Sequence, residues 1–109
     1  MIWILRIVFL GVLASMVWVT TWASLQQAIW QIPPVVLGHP WFVATLFDTY
    51  FAFLTFYLWV AYRERGWLAR VLWLAAILVL GNLAMAFYML LILFRLPANA
   101  PVRSVLLRD

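Results

Sequence analysis

Three uninterrupted apolar runs occupy most of this 109-residue chain, and they constrain its surroundings more than any motif does. Ile7 to Leu25 is 19 positions without a charge, Trp41 to Tyr62 is 22 with a single acid, and Val71 to Phe94 is 24 with none. At about 1.5 Å rise per helical residue, each run matches the roughly 30 Å hydrocarbon core of a bilayer. A chain that is 70% hydrophobic and 9% charged carries more apolar surface than so small a domain can hide in its own core. The expectation is one all-α domain over residues 1–109: a polytopic membrane protein with three transmembrane helices, near 7–25, 41–62 and 71–94, and a short interfacial segment between the first two.

The net charge of +4 comes from arginines placed at the ends of the apolar runs, not from a stripe that could track phosphates, so nucleic acid is not an expected partner. Absence of cysteine removes disulfides, thiolate metal sites and iron–sulfur clusters. Thr21 and Ala23 have the small-x-small spacing of a signal cleavage site. The apolar stretch is longer than a signal core, however, and only Arg6 and the amino terminus give it a positive start, so it reads as a retained span.

Orientation follows from the arginines, because cytoplasmic flanks carry the excess. Arg63, Arg65 and Arg70 lie in the second connection, and the long first connection, Gln26 to Pro40, has none. With three crossings, this puts the amino terminus and Arg6 in the cytoplasm and the carboxyl terminus outside a bacterial inner membrane. Arg95, Arg103 and Arg108 in the tail pull the other way. Trp22, Trp30 and Trp41 would mark one interface, and Trp3, Trp59, Trp67 and Trp73 the other. Trp18 lies deeper and is expected to pack on a neighbouring helix or a bound apolar molecule.

In the first connection Leu25, Ala28, Ile29 and Ile32 recur at helical spacing before Pro33-Pro34 stops the helix, which suits a segment lying along the interface. Gly38-His39-Pro40 then forms a turn that launches the second run. The tail beyond Pro97 is either extended or docked through Leu106 and Leu107.

Few residues could carry chemistry. Asp48 lies seven residues into the second run, about 10 Å below the outer interface at helical rise, where a lone carboxylate is costly and therefore a functional candidate. Thr45, Ala52 and Thr55 share its face. Thr20 and Thr21 in the first run, and Asn82 in the third, lie at nearly the same depth. The expectation is an intramembrane polar cluster of Asp48, Asn82, Thr20, Thr21 and Thr45. It would serve either helix packing or a ligand or proton site. Gly11 and Ser15 fit a small-x-x-x-small packing seam. Ser24, His39 and Asp48 fall on one side but lack a nucleophile elbow or oxyanion loop, so no catalytic residue is expected. His39 alone cannot supply two axial ligands to a haem and suits a surface position. Arg63-Glu64-Arg65 reads as a solvated turn facing anionic headgroups.

The segments Trp41–Tyr50, Trp59–Arg65 and Gly81-Asn82 together resemble a family of small bacterial membrane proteins catalogued only as a domain of unknown function. The likeness covers nearly the whole chain. It implies a short polytopic protein and brings with it no activity, ligand or catalytic residue.

Two function classes remain. The first is a non-enzymatic accessory subunit packed by its aromatic faces into a larger membrane complex; by analogy with complexes that recruit small apolar subunits, the host would be respiratory or photosynthetic. The second is a homo-oligomeric transporter or ligand-binding protein that uses Asp48. Expected partners are membrane lipids and other membrane subunits. No cofactor or metal motif is present, and a bound lipid, quinone or pigment is compatible with the composition.

Overall fold

The computed structural model describes residues 1–107, and Arg108 and Asp109 lie outside the described residues. The chain is all-α. Helix α1 spans Ile2–Gln26 and helix α3 spans Pro40–Arg63. Between them lie a single 3-10 turn, Ile29–Gln31, and the one-turn helix α2, Pro34–Leu37. Helices α4 (Trp67–Leu80) and α5 (Asn82–Arg95) follow, and the one-turn helix α6, Arg103–Leu106, closes the described chain.

Helices α1 and α3 are long and apolar enough to cross a membrane, with mean hydropathies of 2.3 and 1.4, and only 11% of each apolar window is buried within the chain. The core helix of a soluble protein would be mostly buried, and these two are mostly bare. Proline sets both helix starts in this region. Pro33-Pro34 does not merely stop a helix as expected, because Pro34 takes the first position of α2, where its missing N–H costs nothing. Pro40 does the same in α3, and the His39 side chain caps that helix by accepting the Trp41 N–H at Nδ1 (3.2 Å).

The third apolar run is not one helix. It breaks at Gly81, whose φ of 58° and ψ of −123° lie where an L side chain is strained, and the chain folds back on itself. The reversal is visible in the rings: Trp73 and Tyr88, which a continuous helix would hold about 22 Å apart at 1.5 Å per residue, have centroids 4.8 Å apart. Each arm has 14 residues, about 21 Å at that rise and short of the roughly 30 Å core. The expected three-span architecture is therefore corrected to two span-length helices and a helical hairpin.

Helix α1 packs on α5, and α4 sits between α5 and α3. The Tyr57 hydroxyl donates to the Arg70 carbonyl (3.0 Å), and Tyr50 reaches the Leu78 carbonyl at 3.5 Å, so the hairpin ascends along α3. Its tip stops at Phe53, which occupies the space beside Gly81. The core is concentrated along α5, where Ala84, Ala86, Tyr88, Met89, Leu90, Ile92 and Leu93 are buried. Ile2 and Val105 belong to the same core, which brings both ends of the described chain to the foot of the hairpin. A continuous third helix would carry residues 82–95 to the opposite end of the bundle; the hairpin instead returns the described chain to the end where it starts.

Candidate functional site

Polar chemistry gathers at the foot of the hairpin, where arginines satisfy helix ends. A helix leaves its last carbonyls without intrahelical partners, and a cation there also meets the negative end of the macrodipole. Arg6 is 7% exposed. It donates from Nε and Nη2 to the Leu93 carbonyl (3.2 and 2.9 Å) and from Nη2 to the Leu96 carbonyl (2.8 Å), closing α5. Its guanidinium lies 4.6 Å from the Trp3 ring and 4.8 Å from the Phe94 ring, a stacking that adds cation–π attraction. Arg70 Nε closes α3 by donating to the Ala61 and Glu64 carbonyls, each at 3.0 Å. Arg63 Nη1 and the Trp59 indole donate to the Leu107 and Leu106 carbonyls (3.0 and 2.8 Å), docking the tail.

At the centre of this end Tyr88, 3% exposed, donates its hydroxyl to Glu64 Oε2 at 3.0 Å. Trp59, Trp73 and Phe56 surround its ring edge-on, with centroids 5.7, 4.8 and 6.3 Å away. The sequence reading missed Tyr88. Its signal was there: it is the one ionisable side chain between Val71 and Phe94, and a buried phenol requires an acceptor. Trp59 and Trp73, expected as interface anchors, pack against this ring.

The described end holds Arg6, Arg63, Arg65, Arg70, Arg95 and Arg103 against Glu64 alone, while the connection from Gln26 to Pro40 at the other end is uncharged. Arg63, Glu64 and Arg65 are thus not simply a solvated turn. Glu64 is tied to α5, and Arg63 holds the tail.

The intramembrane cluster does not assemble. Asp48, Asn82, Thr20, Thr21 and Thr45 are all exposed, and among the described residues Asp48, Asn82, Thr20 and Thr21 make no side-chain hydrogen bond. Thr45 Oγ1 donates instead to the Trp41 carbonyl of its own helix (2.8 Å), as Thr55 does to Phe51 (2.9 Å). Asn82 lies at the hairpin tip beside Gly11, Val12, Ser15 and Met16 of α1. Thr21 lines a separate groove with Leu10, Ala14, Val17 and Trp18. Depth alone could not foresee this, because rise per residue fixes height, whereas azimuth depends on which helices pack, and α1 packs on α5 instead of α3. The Gly11 and Ser15 seam is also open, since a Cβ at Gly11 would meet nothing within 4 Å. The His39 Nδ1 is occupied by its cap to the Trp41 N–H. Among the described residues no group of three or more His, Cys, Asp and Glu side chains could hold a metal.

No curated protein matches the chain, and no solved structure does. One family model matches it over residues 1–109, and by that full-length match the chain belongs to DUF1475, a family of proteins of unknown function.

Proposed function

We propose that this chain is an integral membrane protein that acts as a non-enzymatic accessory subunit, packed within a larger membrane complex. The observation that carries this reading is Asp48. Its carboxylate is exposed on α3, five residues above Phe53 and so about 7 Å above the hairpin tip. No side-chain hydrogen bond reaches it among the described residues. In hydrocarbon such a group costs several kcal/mol, on the order of 3 or more at mid-depth, unless another chain supplies donors. The upper half of α1 supports the same reading: Trp18 is 76% exposed, and the stripe of Gly11 and Ser15 leaves room for another helix.

In this reading α1 and α3 cross the membrane, and the α4–α5 hairpin enters and leaves from the arginine-bearing side. That side is cytoplasmic by the positive-inside rule, with both termini in the cytoplasm. The tail arginines, which conflict with a three-span topology, then obey the rule.

Purification of the tagged full chain in mild detergent tests the assignment. Co-purification of a fixed, heteromeric membrane partner at constant ratio is the expected result. A symmetric assembly of this chain alone would favour the second reading, a homo-oligomeric transporter or ligand-binding protein in which copies of Asp48 share a cavity. A stable monomer would remove both.

A further inference from the structure

The six described arginines divide into two groups. Arg6, Arg63 and Arg70 are committed to carbonyls within the chain. Arg65, Arg95 and Arg103 are exposed, and their guanidiniums make no hydrogen bond or ion pair among the described residues. They come from three different elements, just past the end of α3, at the end of α5 and at the start of α6, and the docking of the tail on Trp59 and Arg63 brings those elements to one end. Glu64, the sole described acid there, is already engaged by Tyr88. Arg63 adds a buried Nε with no hydrogen-bond partner. The result is a cationic rim, without a free acid at this end among the described residues, around the aromatic foot of the hairpin, with Trp67 also exposed beside Arg70 (5.3 Å from its guanidinium).

We propose that this rim binds the phosphate headgroups of anionic phospholipids, with Arg65, Arg95 and Arg103 as the contacting residues. The inference rests on the membrane reading above and adds a ligand class to it. Guanidinium forks match phosphate oxygens bidentately. Each basic side chain near an anionic leaflet contributes about 1 kcal/mol, so three act together where one would be marginal. Indole at headgroup level would hold the same lipid's glycerol region.

The test uses the purified full chain in mild detergent, mixed with equal amounts of phosphatidylglycerol and phosphatidylcholine, with lipid adducts counted by native mass spectrometry. The anionic lipid should be retained several-fold over the zwitterionic one. Arg65→Gln, Arg95→Gln and Arg103→Gln together should bring the ratio to about one. The same three positions changed to Lys should keep most of the preference, which separates charge from folding. Inorganic phosphate at equal concentration should not displace the lipid. Equal retention by the natural sequence, or a preference unchanged in the triple Gln variant, would overturn the proposal; displacement by inorganic phosphate would replace it with a free-phosphate site. If the chain instead remains in solution once detergent is removed, the membrane reading itself fails, which is a separate observation.

Discussion

Tyr88 and Glu64 are joined by a 3.0 Å hydrogen bond that ties the descending arm of the hairpin to the end of α3. The two residues come from segments that would lie at opposite ends of a three-span bundle, had the third run crossed. A hydrogen bond to a charged acceptor contributes about 1.5–3 kcal/mol. Tyr88→Phe keeps the ring contacts and should lose stability of that order in chemical or thermal unfolding. Glu64→Gln retains an acceptor oxygen and should lose less. Tyr88→Ala also removes the ring from between Trp59, Trp73 and Phe56, and should cost about 3–5 kcal/mol. Equal, negligible losses in all three would mean that the hairpin is not held here.

Gly81 makes the reversal, and no other residue type suits it. A Cβ at this position would lie 2.6 Å from Phe53 Cζ, and the φ of 58° is strained for any L residue whatever the space. Gly81→Ala should therefore destabilise by about 1–3 kcal/mol from the backbone alone, plus the clash. The double variant Gly81→Ala with Phe53→Ala relieves only the clash, at the expense of buried area. Recovery to the stability of Phe53→Ala alone would show that backbone strain at Gly81 is absent.

The contrast between Gly81 and Asp48 shows what a sequence of this kind reveals. Apolar length and charge spacing made the helices of α1 and α3 legible, and Pro40 with His39 marked a helix start that the structure keeps. The hairpin was not legible because a single glycine in a 24-residue apolar run is equally compatible with a continuous helix, in which it costs about 1 kcal/mol. Nothing local announces a reversal. The decision rests on long-range contacts, Tyr57 to Arg70 and Tyr88 to Glu64, whose partners were read as parts of separate features. The same gap misplaced the polar cluster: equal heights for Asp48 and Asn82 presumed a continuous third helix, and the azimuth of each was set by packing that the sequence did not show.

Arg6 is the most consequential arginine for stability, because it is buried and completes the end of the helix that holds the core. Arg6→Gln should lose at least the roughly 1.5–3 kcal/mol of one charged hydrogen bond. Arg6→Lys should not rescue it fully, since a single ammonium cannot span the Leu93 and Leu96 carbonyls while stacking between Trp3 and Phe94. A lysine variant as stable as the natural protein in unfolding by denaturant would argue that charge alone matters there.

Asp48 distinguishes structure from assembly. Because no group among the described residues bonds to its side chain, Asp48→Asn and Asp48→Leu should leave the stability of the isolated chain within about 0.5 kcal/mol, as exposed positions do. Asp48→Leu should nevertheless deplete the co-purified partner, and Asp48→Asn, which still offers hydrogen bonds, should retain part of it. Full retention of the partner by Asp48→Leu would detach the carboxylate from assembly.

The topology can be read without background, because the natural chain has no cysteine. Single substitutions Val35→Cys, in the exposed turn α2, and Asn99→Cys, in the exposed segment after α5, sample the two ends of the helices. With α1 and α3 as the two crossings and the hairpin entering from the cytoplasmic side, an impermeant maleimide should label Val35→Cys in intact cells and Asn99→Cys only after the membrane is opened. The asymmetry of charge predicts the direction, since the end bearing Asn99 holds all six described arginines and the end bearing Val35 holds none. Labelling of both cysteines in intact cells would mean that the α4–α5 segment crosses after all, as a continuous third span. Labelling of Asn99→Cys alone would keep the hairpin and invert the protein, placing its arginines outside against the usual rule.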